Sequence, residues 1–164
     1  MKALLYTKGF LLGKWLCLFY LSGLLWAAAG QAPASDAINL STIEAQKSQH
    51  RLPIILYFRL DDCPYCQRLS EHVLHPMLKG GQFRDNAHFV EISLEADSML
   101  DFSGHPTLPK TFAEAYGFIV APMLVFVDGQ GKQLIDPVIG LPNLAYFGFE
   151  FRQMIRAAKA KLIQ

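Results

Sequence analysis

Pro53-Ile54-Ile55-Leu56-Tyr57-Phe58-Arg59-Leu60-Asp61-Asp62-Cys63-Pro64-Tyr65-Cys66 is the stretch on which the reading of this chain turns. Its first half, residues 53–58, is an unbroken apolar run. That pattern predicts a central strand buried on both faces, not an alternating half-exposed one. Its second half is a CxxC that opens a helix, where Leu69, Val73 and Met77 recur at four-residue spacing. Pro76 is expected to end that helix near Leu74. A helix N-terminus offers unpaired amides and a partial positive charge, which favour a thiolate over a thiol. Pro64 lacks an amide hydrogen and has its φ preset for the first helical turn. Cys63, further out on the turn, is the expected nucleophile, and Cys66, one turn deeper, the resolving thiol.

Upstream, Ser41-Thr42-Ile43-Glu44 reads as a capping box for a short helix reaching about Gln49. Downstream, residues 88–94 form a second strand, and residues 95–109 a loop with Gly104, Pro106 and Pro109. Residues 111–116 read as a short helix closed by Gly117, and residues 123–127 as a third strand. Asp128-Gly129-Gln130-Gly131 is a tight turn into a fourth strand over 133–139. In the last segment Leu144, Phe147, Phe151, Met154, Ile155, Ala158 and Leu162 fall on one helical face. The order α-β-α-β-α-β-β-α contains no repeat and no dividing linker. It predicts an α/β fold with a central mixed sheet of about four strands flanked by helices. The loop over 97–110 is expected to cover the end of the sheet or to influence partner choice.

The chain has 164 residues, of which 52% are hydrophobic and 18% charged, so a disordered or low-complexity protein is excluded. Lys and Arg number 15 against 14 Asp and Glu, without the basic excess that phosphate contacts to nucleic acid require. Lys2, Lys8 and Lys14 are the only charges before Asp36. An apolar run to Trp26 follows Lys14, and then Ala27-Ala28-Ala29-Gly30-Gln31-Ala32. A basic start, an apolar core and small residues are the three parts of a secretory signal, with cleavage after Ala29 or Ala32. Residues 1–32 are therefore expected to be a signal peptide, or alternatively an uncleaved anchor, and residues 33–164 a single exported domain. Two of the three cysteines remain in that domain, Cys63 and Cys66. In an oxidising compartment a pair this close closes too small a loop to stabilise a fold through chain entropy. The pair reads as chemical.

A zinc site built from Cys63, Cys66, His72 and His75 meets a distance problem. His72 lies nine residues beyond Cys63, about 13 Å along a continuous helix. One tetrahedral ion with bonds of about 2 Å does not span that. No metal and no cofactor is expected, and the histidines read as surface or helix-end residues.

With these residues in view, the chain resembles the thioredoxin-like superfamily, in particular its exported thioredoxin-related reductases and oxidases. The similarity covers about Leu40 to Leu162. It rests on residues 54–58 before Cys63-Pro64-Tyr65-Cys66, on Tyr116-Gly117-Phe118-Ile119-Val120-Ala121-Pro122 before the third strand, on Phe126-Val127-Asp128-Gly129-Gln130-Gly131 after it, and on Ile139-Gly140 before the last helix. The resemblance implies that Pro122 is cis and packs beside the CxxC, a costly arrangement that points to a purpose. It also implies that the backbone of Ala121 pairs with an extended substrate strand and presents its disulfide to Cys63. Pro64 and Tyr65 would support the site between the two sulfurs.

Three departures from the family pattern stand out. Thioredoxins carry a buried Asp six residues before the first Cys, and here that residue is Tyr57. The position before the CxxC usually holds Trp, whereas here Asp61-Asp62 precede it, two carboxylates that oppose the helix end in favouring a thiolate. The Pro-Tyr dipeptide is typical of glutaredoxins, yet the Gly-Gly turn of that family is missing after the last strand. The expected activity is a periplasmic thiol-disulfide oxidoreductase that reduces protein disulfides, acts as a monomer and is recharged by a membrane electron donor. The alternatives are an oxidase or isomerase of exported proteins, and a copper chaperone or assembly factor that uses the two thiols as soft ligands.

Overall fold

The computed structural model describes residues 37–47 and 52–163. The segment read as a signal peptide lies outside the described residues. The elements are α1 (Leu40–Lys47), β1 (Ile54–Arg59), α2 (Pro64–Leu69), a π turn (Ser70–Leu74), α3 (His75–Lys79), β2 (His88–Ser93), β3 (Met99–Leu100), β4 (Pro106–Thr107), α4 (Pro109–Glu114), β5 (Met123–Val127), β6 (Val138–Ile139) and α5 (Leu144–Lys161).

Four strands form a mixed sheet in the order β2-β1-β5-β6. β1 runs parallel to β2, with Tyr57 opposite Glu91, and antiparallel to β5, with Tyr57 opposite Leu124. Because successive side chains of a strand point to opposite faces, the apolar run of β1 divides between two cores. Ile55 and Tyr57 join Leu69, Val73, Leu74 and Met77 below α2 and α3, together with Phe147, Phe151 and Ile155 of α5. Ile54, Leu56 and Phe58 join Leu40, Val90, Ile92, Met99 and Ala113 on the other face. The continuous hydrophobicity of β1 thus follows from cover on both sides.

α5 is held by aromatic packing. Phe151 stacks on Phe147 with centroids 5.2 Å apart and meets Phe126 at 5.7 Å and Phe83 at 5.9 Å. Burying such a side chain contributes about 1.5–3 kcal/mol.

Four local expectations differ from the structure. The cap of α1 is Asn39, whose Oδ1 accepts the Ser41 and Thr42 amides at 3.1 and 3.4 Å, so the helix starts ahead of the Ser41 capping box. Pro76 does not end the second helix. The chain widens into the π turn, where the His75 amide reaches back five residues to the Ser70 carbonyl, and helix resumes to Lys79. A π turn changes the ladder where proline has no hydrogen to donate and its ring crowds the preceding carbonyls. The fourth strand shrinks to Val138–Ile139, and Gln133 makes only an isolated bridge to Val127. Pro137, with no amide to donate, stands directly before that short strand.

The fourth difference concerns the 97–110 loop, which carries a two-stranded sheet of β3 and β4. Asp101 Oδ1 holds its tip by accepting the Ser103 and His105 amides, each at 2.8 Å. Met99, at 1% exposure, plugs the core beneath. Covering the sheet is therefore what this segment does.

Gly131 closes the turn after β5 with a φ of +84°, and a Cβ there would lie 2.6 Å from Phe102 Cδ2 and 2.9 Å from the Tyr116 hydroxyl. Gly117 also has positive φ, at +73°, but nothing lies within 4 Å of an added Cβ. Gly117→Ala should cost about 1 kcal/mol from backbone strain alone. Gly131→Ala should cost roughly 1–3 kcal/mol more, because the added methyl overpacks the Phe102 ring and disturbs the Tyr116 bond to the Gly131 carbonyl. Urea denaturation of the two variants checks the order, and equal losses would refute it.

Candidate active site

Cys63 sits where β1 has ended and α2 begins, and it caps that helix with its own sulfur. Its backbone is extended (φ −121°, ψ 101°), and its Sγ accepts the Cys66 amide at 3.1 Å. The Gln67 amide bonds the Cys63 carbonyl at 3.0 Å. A sulfur in this position receives an N–H that has no helical acceptor, together with the positive end of the helix dipole. Pro64 fills the first turn, where its missing amide costs nothing.

Cys63 and Cys66 are joined in a disulfide with Cα atoms 5.2 Å apart. The two sulfurs differ in access. Cys63 is half-buried at the rim, whereas Cys66 is 2% exposed within the core below the sheet. Tyr65, between them, is 58% exposed. Cys66 and Ala121 belong to the same apolar cluster, and Cys63 packs against it. The Ala121–Pro122 bond is cis, both residues are buried, and the Pro122 carbonyl accepts the Gly140 amide at 2.8 Å. The chain before this bond is open, with Ile119 77% and Val120 48% exposed. The fold thus brings the CxxC and the segment of Ala121 and Pro122 to one part of the molecule.

The carboxylates ahead of the CxxC have separate surroundings. Asp61 Oδ1 accepts from Arg59 at 2.8 Å and from the Ser93 hydroxyl at 2.9 Å, and its amide bonds the Glu95 carboxylate. Arg59 also pairs with Glu91. Asp61 is therefore engaged along the end of the sheet by β1 and β2. Asp62, next to Cys63, is exposed.

Tyr57, noted in the sequence only as a departure, is fully buried and part of the site. Its hydroxyl donates to the Cys66 carbonyl at 3.0 Å and shares a 3.1 Å hydrogen bond with Ser70 Oγ. The sequence signal that points to this contact is Ser70, a polar residue four positions beyond Cys66 on a face otherwise made of Leu69, Val73 and Met77. Burial, as the main cause, pushes the Tyr57 phenol above its ordinary range, so it stays a neutral donor. His72, considered as a metal ligand, has Nδ1 2.9 Å from the Arg68 carbonyl on its own helix. Among the described residues no three His, Cys, Asp or Glu side chains are placed to hold one metal ion.

Comparison with known proteins agrees with this geometry. Residues 38–147 match the family model described as a thioredoxin-like domain, and the chain belongs to that family. No curated protein matches the sequence. Among solved structures, thioredoxin f from spinach chloroplast has a TM-score of 0.50 at 16% identity, covering 73% of this chain and 91% of its own. A mutant thioredoxin from Halobacterium salinarum gives 0.48 at 19%, covering 79% of this chain and 96% of its own. Mitochondrial thioredoxin 3 from Saccharomyces cerevisiae gives 0.47 at 16%, covering 71% and 91%. The likeness to the spinach protein is one of fold. Membership of the family together with a CxxC-spaced pair supports thiol oxidoreductase chemistry in general.

The difference in access has a direct consequence. In the reduced protein, a small alkylating reagent in limiting amount should modify Cys63 well before Cys66, as read by peptide mass mapping. Faster labelling of Cys66 would contradict the burial order.

Proposed function

We propose that this protein is an exported thiol-disulfide oxidoreductase that reduces protein disulfides through the Cys63–Cys66 couple and is recharged by a membrane electron donor. The observation that carries the reading is the pairing of a rim cysteine, which receives a helix-end amide, with a buried partner one turn deeper. In the reducing direction the Cys63 thiolate attacks one sulfur of a substrate disulfide. A bond forms between Cys63 and that sulfur, and the other substrate sulfur leaves as a thiolate. Cys66 then attacks Cys63 Sγ, the protein disulfide closes, and the second substrate sulfur departs. The substrate gains two electrons and the cysteine pair loses two. The exposed residues Ile119 and Val120, leading to Ala121, support docking of an extended substrate segment by strand-like pairing.

The assignment of roles is tested by trapping. Cys66→Ser should accumulate a mixed disulfide with exported proteins through Cys63, and Cys63→Ser should not. The reverse pattern would refute the roles.

An oxidase would run the same steps backwards, donating its disulfide to newly exported proteins. The equilibrium reduction potential of the pair against glutathione separates the two directions. A reductase should lie near the thioredoxin value of about −270 mV, and a value near about −120 mV would overturn that direction in favour of the oxidase.

A further inference from the structure

Cys66 is the thiol that must act from inside the core, and two hydroxyls, those of Tyr57 and Ser70, are hydrogen-bonded beside it. Among the described residues Ser70 is the only buried polar side chain besides the Tyr57 phenol. The Tyr57 hydroxyl lies 3.0 Å from the Cys66 carbonyl and 3.1 Å from Ser70 Oγ. A carbonyl has no hydrogen to give, so the single phenolic hydrogen goes to it. Ser70 then donates to the Tyr57 oxygen. The chain of hydrogen bonds therefore has one direction: Ser70 hydroxyl to Tyr57 hydroxyl to Cys66 carbonyl.

The same carbonyl also receives the Ser70 amide, so two donors from two elements meet on it. Ser70 lies four residues after Cys66, which puts both side chains on one face of the helix, with serine lone pairs left to accept. Arg59 and Glu91 also act on the Tyr57 phenol, and they are paired with each other. Phe89 packs on the Tyr57 ring at 5.9 Å, fixing its orientation.

We propose that Tyr57, held by Ser70 and acting through the Cys66 carbonyl, is a positioning residue for the resolving cysteine. It anchors the first turn of α2 to β1 so that the buried sulfur meets Cys63 Sγ. The proposal rests on the oxidoreductase reading above. In the step concerned, the Cys66 sulfur bonds to Cys63 Sγ while the bond from Cys63 to the substrate sulfur breaks. The substrate leaves with the electron pair of that bond and takes up the proton that Cys66 gives up. No external oxidant or reductant enters.

The test uses the full chain carrying Cys17→Ala, reduced and mixed with one equivalent of dithionitrobenzoate, which releases a coloured thiolate at each exchange. Capture of Cys63 gives the first equivalent and resolution by Cys66 the second. Tyr57→Phe keeps the buried ring and removes only the hydroxyl. It should slow the second release about threefold to tenfold, the rate equivalent of one buried hydrogen bond, and leave the first unchanged. Ser70→Ala reads the same chain from its other end and should slow the second release in the same sense. A second phase unchanged in both variants, or both phases slowed alike, overturns the positioning role. Failure of the underlying reading looks different: the chain with Tyr57 and Ser70 intact would release one equivalent and never the second.

Discussion

The structure depends on β1 being buried on both of its faces. A six-residue strand between β2 and β5, covered by helices on one side and by α1, α4 and the β3–β4 ribbon on the other, is paired along both edges and has nearly all its side chains buried. Such a strand cannot slip by one residue, because a slip would exchange its two sets of side chains between cores of different shape. The register of β1 therefore sets where the chain emerges from the sheet. That point of emergence is where Cys63 caps α2.

From this constraint the chemistry of the site follows in order. Four residues separate the end of β1 from α2, which drops back over the lower core, so its N-terminus lies at the rim and Cys66 in its first turn lies inside. One sulfur of the pair is then accessible and the other is not. Burial of Leu69, Val73, Leu74 and Met77 holds the helix down by apolar contact, and the Tyr57 bond to the Cys66 carbonyl ties it to β1 at one defined point. The apolar contacts supply most of the energy, since burial scales with area while a single buried hydrogen bond nets only about 0.5–1.5 kcal/mol. The hydrogen bond supplies direction, which dispersion and hydrophobic burial lack.

The polar residues at the end of the sheet have a separate role. Arg59, Asp61, Glu91 and Ser93 satisfy one another where β1 and β2 run out, with side chains partly open to solvent. Exposed pairs of this kind contribute little to stability. Their effect is on charge placement, because Asp61 is turned toward an arginine and a hydroxyl. Both carboxylates ahead of the CxxC are exposed, and Asp62 is the one adjacent in sequence to Cys63.

The sequence by itself determined what depends on short-range pattern. The apolar run of β1, the CxxC at a helix start, Pro122 at the head of β5 and the apolar face of α5 are each written within a few adjacent residues. Periodicity and proline geometry read them without reference to the rest of the chain. The tertiary structure alone decided what depends on partners far away in sequence. Asp61 meets Ser93 across 32 residues and Tyr57 meets Ser70 across 13. The 97–110 segment becomes a ribbon because Met99 finds a core to fill and Leu100 pairs with Asn39. Even the passage of the helix through Pro76 belongs here. Local rules stop a helix at a proline, and it continues because Leu69 before the π turn, Val73 and Leu74 within it and Met77 after it are held in one core, whose burial outweighs the broken ladder.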